Sequence, residues 1–227
     1  MDIILIAGLW LRSSAWDQVA RALKEYGHNP VPVSLPGVDD NASNATLDDQ
    51  VAAVVGAVDK ADSPVVVGHS AASGLAWLAA DRRPKAVRRS VMVGGFPGAA
   101  GGKYADFFPI VDGKMPFPGW EPFDGPDSVD LDEEAKDGLA SGMVPVPEGV
   151  ANGIVHYQDE HRFNVPVSLV CPEYSAADAE SWVKAGDISE LPAACSIDYV
   201  DIDSGHWPMI TRPVELARVL HETAVNA

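Results

Sequence analysis

The chain has 227 residues, 47% of them hydrophobic and 22% charged, with a formal net charge of −17. That length suits one domain whose core needs no disulfide or metal staples, and so acidic a surface repels nucleic acid and anionic membranes. No apolar run reaches the roughly 20 residues that a membrane-spanning helix requires, and two isolated cysteines without metal-ligand spacing, Cys171 and Cys195, fit a reducing, cytoplasmic setting.

The first expected element is a strand over 3–7, Ile-Ile-Leu-Ile-Ala, which has no basic leader before it and reads as a sheet strand rather than a signal peptide. A helix near 14–27, a strand over 31–34 and a helix near 46–61 follow. The apolar run 65–67 then ends in Gly68-His69-Ser70 and opens directly into a helix over 71–82. A serine at such a strand-to-helix junction has its hydroxyl lifted clear of the sheet and the next amide aimed at the same point. Taken alone, the same residues also fit a tight turn with a helix-capping serine. His69 is expected to pack beneath the turn rather than to transfer protons, because neighbouring residues at a strand end point in opposite directions.

After a strand over 87–93 the alternation breaks. Between 97 and 160 glycine, proline and aromatic residues crowd together with little sign of regular structure, as in Phe107-Phe108-Pro109 and Met115-Pro-Phe117-Pro-Gly-Trp120. A segment of that length and aromatic content is expected to be functional rather than disordered. His156 and His161 lack a third ligand at metal-binding spacing, and the acidic run 130–134 suits a solvated helix start, so no metal is expected. A strand over 165–170, a helix over 175–185, a strand over 196–202 and a helix over 213–224 complete the chain. Between the last strand and the last helix lies Gly205-His206-Trp207-Pro208, where a histidine general base belongs if Ser70 is the nucleophile. Apolar strands alternating with helices imply an α/β fold with a mostly parallel sheet covered on both faces.

Five landmarks in order now resemble the α/β-hydrolase superfamily over nearly the whole chain: Ile3-Ile-Leu-Ile-Ala-Gly-Leu-Trp10, Leu35-Pro-Gly37, Gly68-His-Ser-Ala-Ala72, Val165-Pro-Val-Ser-Leu-Val-Cys171 and Gly205-His-Trp-Pro208. The resemblance implies a three-layer α/β/α domain over 1–227, with 97–160 as a cap inserted after the strand that follows the nucleophile helix. It implies Ser70 as nucleophile, His206 as base, the amides of Leu9 and Ala71 as oxyanion hole, and no cofactor. Trp10, Phe117, Trp120 and Trp207 are the candidates for a substrate pocket, although the cap aromatics could equally pack the cap onto the core. Two positions depart from the family pattern. Ala7-Gly8 replaces the usual His-Gly of the oxyanion loop, and Ser175 occupies the usual place of the acid, leaving Glu173, the preferred candidate, or Asp178. The expected activity is acyl transfer from a small, largely apolar carboxylic ester or lactone to water. The first segment is also similar to the plant-type methyl esterases and hydroxynitrile lyases, so a lyase, or a small-ligand receptor on the same scaffold, stays open, as do the substrate and the oligomeric state.

Overall fold

The computed structural model describes residues 1–40 and 42–226. In chain order the main layers are β1 (Asp2–Ile6), α1 (Asp17–Glu25), β2 (Asn29–Pro32), α2 (Leu47–Val58), β3 (Val65–His69), α3 (Ala72–Arg82) and β4 (Arg89–Val93). The segment after β4 carries two short strands, β5 (Lys114–Met115) and β6 (Val146–Pro147), with α4 (Glu133–Gly142) between them and α5 (Glu148–Ala151) after them. The main layers resume with β7 (Val167–Cys171), α6 (Ala176–Ala185), β8 (Ile197–Asp201), α7 (Pro208–Thr211) and α8 (Pro213–Val225).

Six strands form one parallel sheet in the order β2-β1-β3-β4-β7-β8. The period-2 alternation of a strand divides its side chains between two cores. Ile4, Ile6, Val66, Met92 and Leu169 face the layer of α2, α3 and α6, where Val54, Leu75, Trp77 and Val183 meet them. Ile3, Leu5, Val65, Val67, Val91 and Val170 face α1 and α8, against Val19, Leu23, Leu216 and Leu220. The sheet is therefore the middle of three layers, and α3 is buried along its whole length from Ala72 to Asp81. At the outer strand β2, the amides of Asn29 and Val33 donate to Met1 and Leu5 on the inner side. Pro30 and Pro32, the residues between and beside them, carry no N–H on the outer side.

The expected strands and helices are present, with ends shifted by at most three residues. The helix expected near 14–27 begins as a 3₁₀ turn, Ser13–Trp16, before α1, and α2 stops at Val58 rather than 61. The strand near 31–34 lies at Asn29–Pro32, because the prolines do not interrupt donation toward the inner side. The segment 97–160 holds more regular structure than expected, including α4, whose cap Asp132 accepts from the Ala135 amide. Its far end is fastened to α3 by a buried polar knot. The Asp81 carboxylate accepts from the amides of Gln158 and Asp159, and Arg162 bridges Asp81 to Glu190, which also accepts from Trp77 Nε1. Among the described residues no helix is long and apolar enough to cross a membrane.

Candidate active site

The turn after β3 places Ser70 in the left-handed region, with φ of 54°, a conformation that costs a non-glycine residue energy and persists only where its surroundings enforce it. They do so here. The Ser70 amide donates to Val93 O at 2.8 Å, and the Ser70 carbonyl accepts from Ser73 at 2.9 Å. Gly68 and Gly95 make room: a Cβ on Gly68 would lie 2.1 Å from Ala72 O, and one on Gly95 would lie 2.3 Å from Ser70 O.

β7 ends at Cys171, and the chain turns through Pro172 to present Glu173. The loop after β8 presents His206. Glu173 Oε1 and His206 Nδ1 are 2.7 Å apart, with both side chains 12% exposed. A carboxylate acceptor fixes the proton on Nδ1 and leaves Nε2 as the free base. Asp178, the other candidate, is engaged elsewhere. Its carboxylate accepts from the Ser175 amide and hydroxyl, and Ser175 Oγ accepts from the Asp178 amide, closing a capping box at the start of α6.

Ser70, His206, Leu9, Trp10 and Trp207 share one cavity of about 60 Å³, whose remaining wall is His69, Phe107, Phe108 and Phe123. Larger hollows elsewhere on the surface contain none of these groups. Among the described residues Ser70 and His206 make no direct hydrogen bond; such contacts are commonly long before substrate arrives. The amides of Leu9 and Ala71 likewise have no hydrogen-bond partner among the described residues, and both adjoin Ser70, Leu9 across the cavity and Ala71 in the chain. Two unengaged donors beside a hydroxyl, an imidazole and a carboxylate can hold a developing oxyanion while the hydroxyl attacks.

Phe117 and Trp120, expected in the pocket, stand one layer behind its wall. Phe117 packs edge-on against Trp10 at 5.4 Å, and Trp120 against Trp207 at 5.2 Å. His156 is exposed and does not reach the site. Cys171 is a buried thiol whose pKa burial pushes up to about 12, so it packs and does not react.

Three contributions are invisible in local sequence. Asp39 braces the chain that follows β1. Its Oδ1 accepts from the Ser13 amide and hydroxyl and its Oδ2 from the Leu35 amide, joining the loops after β1 and β2. Trp10, at φ 64°, ties the same loop to the long segment: its Nε1 donates to Met115 O at 3.1 Å and its carbonyl accepts from Val144 at 2.9 Å. The turn at 126–130 grips the histidine loop. Asp127 O accepts from the His206 amide at 2.7 Å, Ser204 Oγ donates to Asp130 at 3.2 Å, and a Cβ on Gly205 would fall 2.4 Å from Asp127 O. Burial raises the Asp127 carboxyl pKa, with the nearby His206 opposing and Glu173 reinforcing the shift.

Solved structures share this fold at low identity. An extracellular alpha/beta-hydrolase from a Paenibacillus species is 16% identical over 98% of each chain, with a TM-score of 0.80. A methylesterase from Arabidopsis is 13% identical over 100% of both chains, at 0.73. A pyrethroid hydrolase from Sphingobium faniae is 18% identical over 99% of this chain and 97% of its own, at 0.67. No curated protein matches the chain in sequence. The model of the alpha/beta hydrolase family matches residues 3–219, nearly the full length, and with the parallel sheet and its strand-to-helix turn in view, the chain belongs to that family.

Proposed function

We propose that the protein is a serine hydrolase that cleaves carboxylic esters or lactones of small, largely apolar substrates by acyl transfer. The observation that carries this reading is the 2.7 Å pairing of Glu173 with His206 at the wall of the cavity that also holds the Ser70 hydroxyl. His206 Nε2 removes the Ser70 proton as Oγ attacks the substrate carbonyl, and Glu173 steadies the imidazolium that results. The Leu9 and Ala71 amides hold the oxyanion of the tetrahedral intermediate. The imidazolium then protonates the departing alcohol, leaving an acyl group on Ser70. Water, activated by the same imidazole, releases the acid and restores the hydroxyl.

In this reading residues 97–160 form a cap, and its Phe107, Phe108 and Phe123 close the cavity. A space of about 60 Å³ is well below the ~150 Å³ that accommodates a benzene ring, so the group seated beside Ser70 is a short acyl chain. The names of two structural neighbours, a methylesterase and a pyrethroid hydrolase, agree with ester chemistry. Both cysteines are free, which supports a cytoplasmic setting.

The test is hydrolysis of p-nitrophenyl esters of increasing acyl length by the wild type and by Ser70→Ala and His206→Ala. Activity on the short esters that disappears in both variants supports the reading. A wild type inert toward every ester and lactone removes its support, and turnover of another substrate without a covalent adduct on Ser70 would point to a lyase.

A further inference from the structure

His69 stands immediately before Ser70, is 1% exposed and has no part in the steps above. Its Nε2 lies 2.7 Å from the His206 carbonyl oxygen. A carbonyl can only accept, so the proton sits on Nε2. Its Nδ1 is enclosed without a partner among the described residues, against Gly8, where a Cβ would come within 2.6 Å of it. A second proton there would create a buried cation with no counter-charge, next to the His206 ring at 4.9 Å. Burial, and then the charge of His206, accordingly hold the His69 pKa well below the ordinary imidazole range. The His206 amide is meanwhile held by Asp127 O at 2.7 Å, so His206 is gripped at both of its main-chain polar groups.

We infer that His69 is a positioning residue: a neutral imidazole fixed as the Nε2–H tautomer, whose hydrogen bond to the His206 carbonyl joins the histidine loop to the nucleophile turn and sets the reach from His206 to Ser70. The inference rests on the acyl-transfer reading and deepens it. His69 is bonded to Ser70 through one peptide link, so a single side chain spans nucleophile and base. The other tautomer would set a ring lone pair against a carbonyl lone pair and release the tether. A protonated His69 would put positive charge beside an imidazole that must itself become positive in the transition state, opposing the base step. The ionisable groups grouped around it are His206 and, beyond that ring, Glu173 and Asp127.

Two experiments test this. In ¹⁵N-labelled wild-type protein, imidazole NMR should show His69 as the neutral Nε2–H tautomer that does not protonate as the pH passes through about 6.5, where a free imidazole titrates. A His69 that titrates near that value, or carries its proton on Nδ1, overturns the inference, and this readout needs no variant to fold. Kinetically, His69→Phe, which keeps a ring without a donor, should lose about 10- to 100-fold in kcat with KM little changed, as expected for a misplaced base. It should also shift the pH profile of kcat. His69→Gln, whose amide can donate from a similar place, should recover most of the loss. If both variants match the wild type in kcat and pH profile while Ser70→Ala is inert, His69 has no positioning role and the acyl-transfer reading stands. If Ser70→Ala is as active as the wild type, the reading fails and the inference with it.

Discussion

The carboxylate partner of His206 is decided by what each acidic side chain is already doing. Glu173 has one oxygen on His206 and the other buried without a partner among the described residues, whereas both engaged groups of Asp178 serve the start of α6. Glu173→Gln is therefore expected to lower kcat by about 10²- to 10⁴-fold with little effect on folding, because an amide no longer holds the imidazole in its reactive tautomer. Asp178→Ala should do the reverse, leaving kcat near wild type while lowering stability modestly, because the capping box loses its acidic half while Ser175 keeps its bond to the 178 amide. Steady-state kinetics and urea unfolding on the two variants separate the roles, and a loss of kcat in Asp178→Ala would contradict the assignment. Both acids were visible in sequence as neighbours after a strand. The signal that separates them is also there: Ser175-Ala-Ala-Asp178 has the spacing of a capping box, which consumes Asp178 locally and leaves Glu173 free.

At the scale of elements, the long segment between β4 and β7 supplies three of the nine residues that line the cavity, Phe107, Phe108 and Phe123, and part of the grip on the histidine loop. Phe108 packs against Trp10 at 5.7 Å and faces the cavity. Phe108→Ala is expected to move the preferred acyl chain toward longer esters, read from kcat/KM across a chain-length series, while an unchanged preference would remove Phe108 from the pocket. Gly205→Ala should push the histidine loop off Asp127 O, because the added Cβ would sit 2.4 Å from it. The expected outcome is a fall in kcat of more than ~10-fold with far-UV circular dichroism retained. None of this was legible from periodicity. Phe107, Phe108 and Phe123 come from turns with no repeating pattern, and the Asp127 contact is made by a main-chain oxygen, which any residue type could offer. Phe117 and Trp120 were equally plausible candidates by composition, and only the folding of the segment sets them one layer back.

Over the whole molecule, the sheet and its two covering layers were readable because alternation along each strand and apolar faces on the helices point to the same architecture. The ends were less so, since capping and 3₁₀ turns shift them by up to three residues. Groups whose pKa values differ between the folded and unfolded chain govern the response of the protein to pH. His28, paired with His221 at 2.9 Å, has its pKa lowered by burial first and then by the chain amino terminus; His69 is lowered further. For a histidine with a depressed folded pKa, the unfolded chain binds protons first as pH falls through about 6.5. Stability is thus highest above that value and declines below it, until the folded state is protonated too. A second decline follows at lower pH, where Asp2, Asp40, Asp49, Asp59 and Asp159 lose hydrogen bonds that hold their pKa values below 3.8. Thermal melts from pH 8 to 4 should show the first loss, and His28→Gln should reduce it; a flat Tm between pH 7 and 5 would refute the assignment.

The prolines of β2 have a bearing beyond the single molecule. Their positions leave the free rim of the sheet without N–H groups at two successive outward-facing sites, so a strand of another copy arriving there finds acceptors but not the donors it needs to zip on. Pro30→Val with Pro32→Val would keep the inward pairing with β1 and restore both donors. That double variant is expected to fold, to keep its activity when dilute, and to self-associate as concentration rises, visible as growing light scattering where the parent solution stays clear.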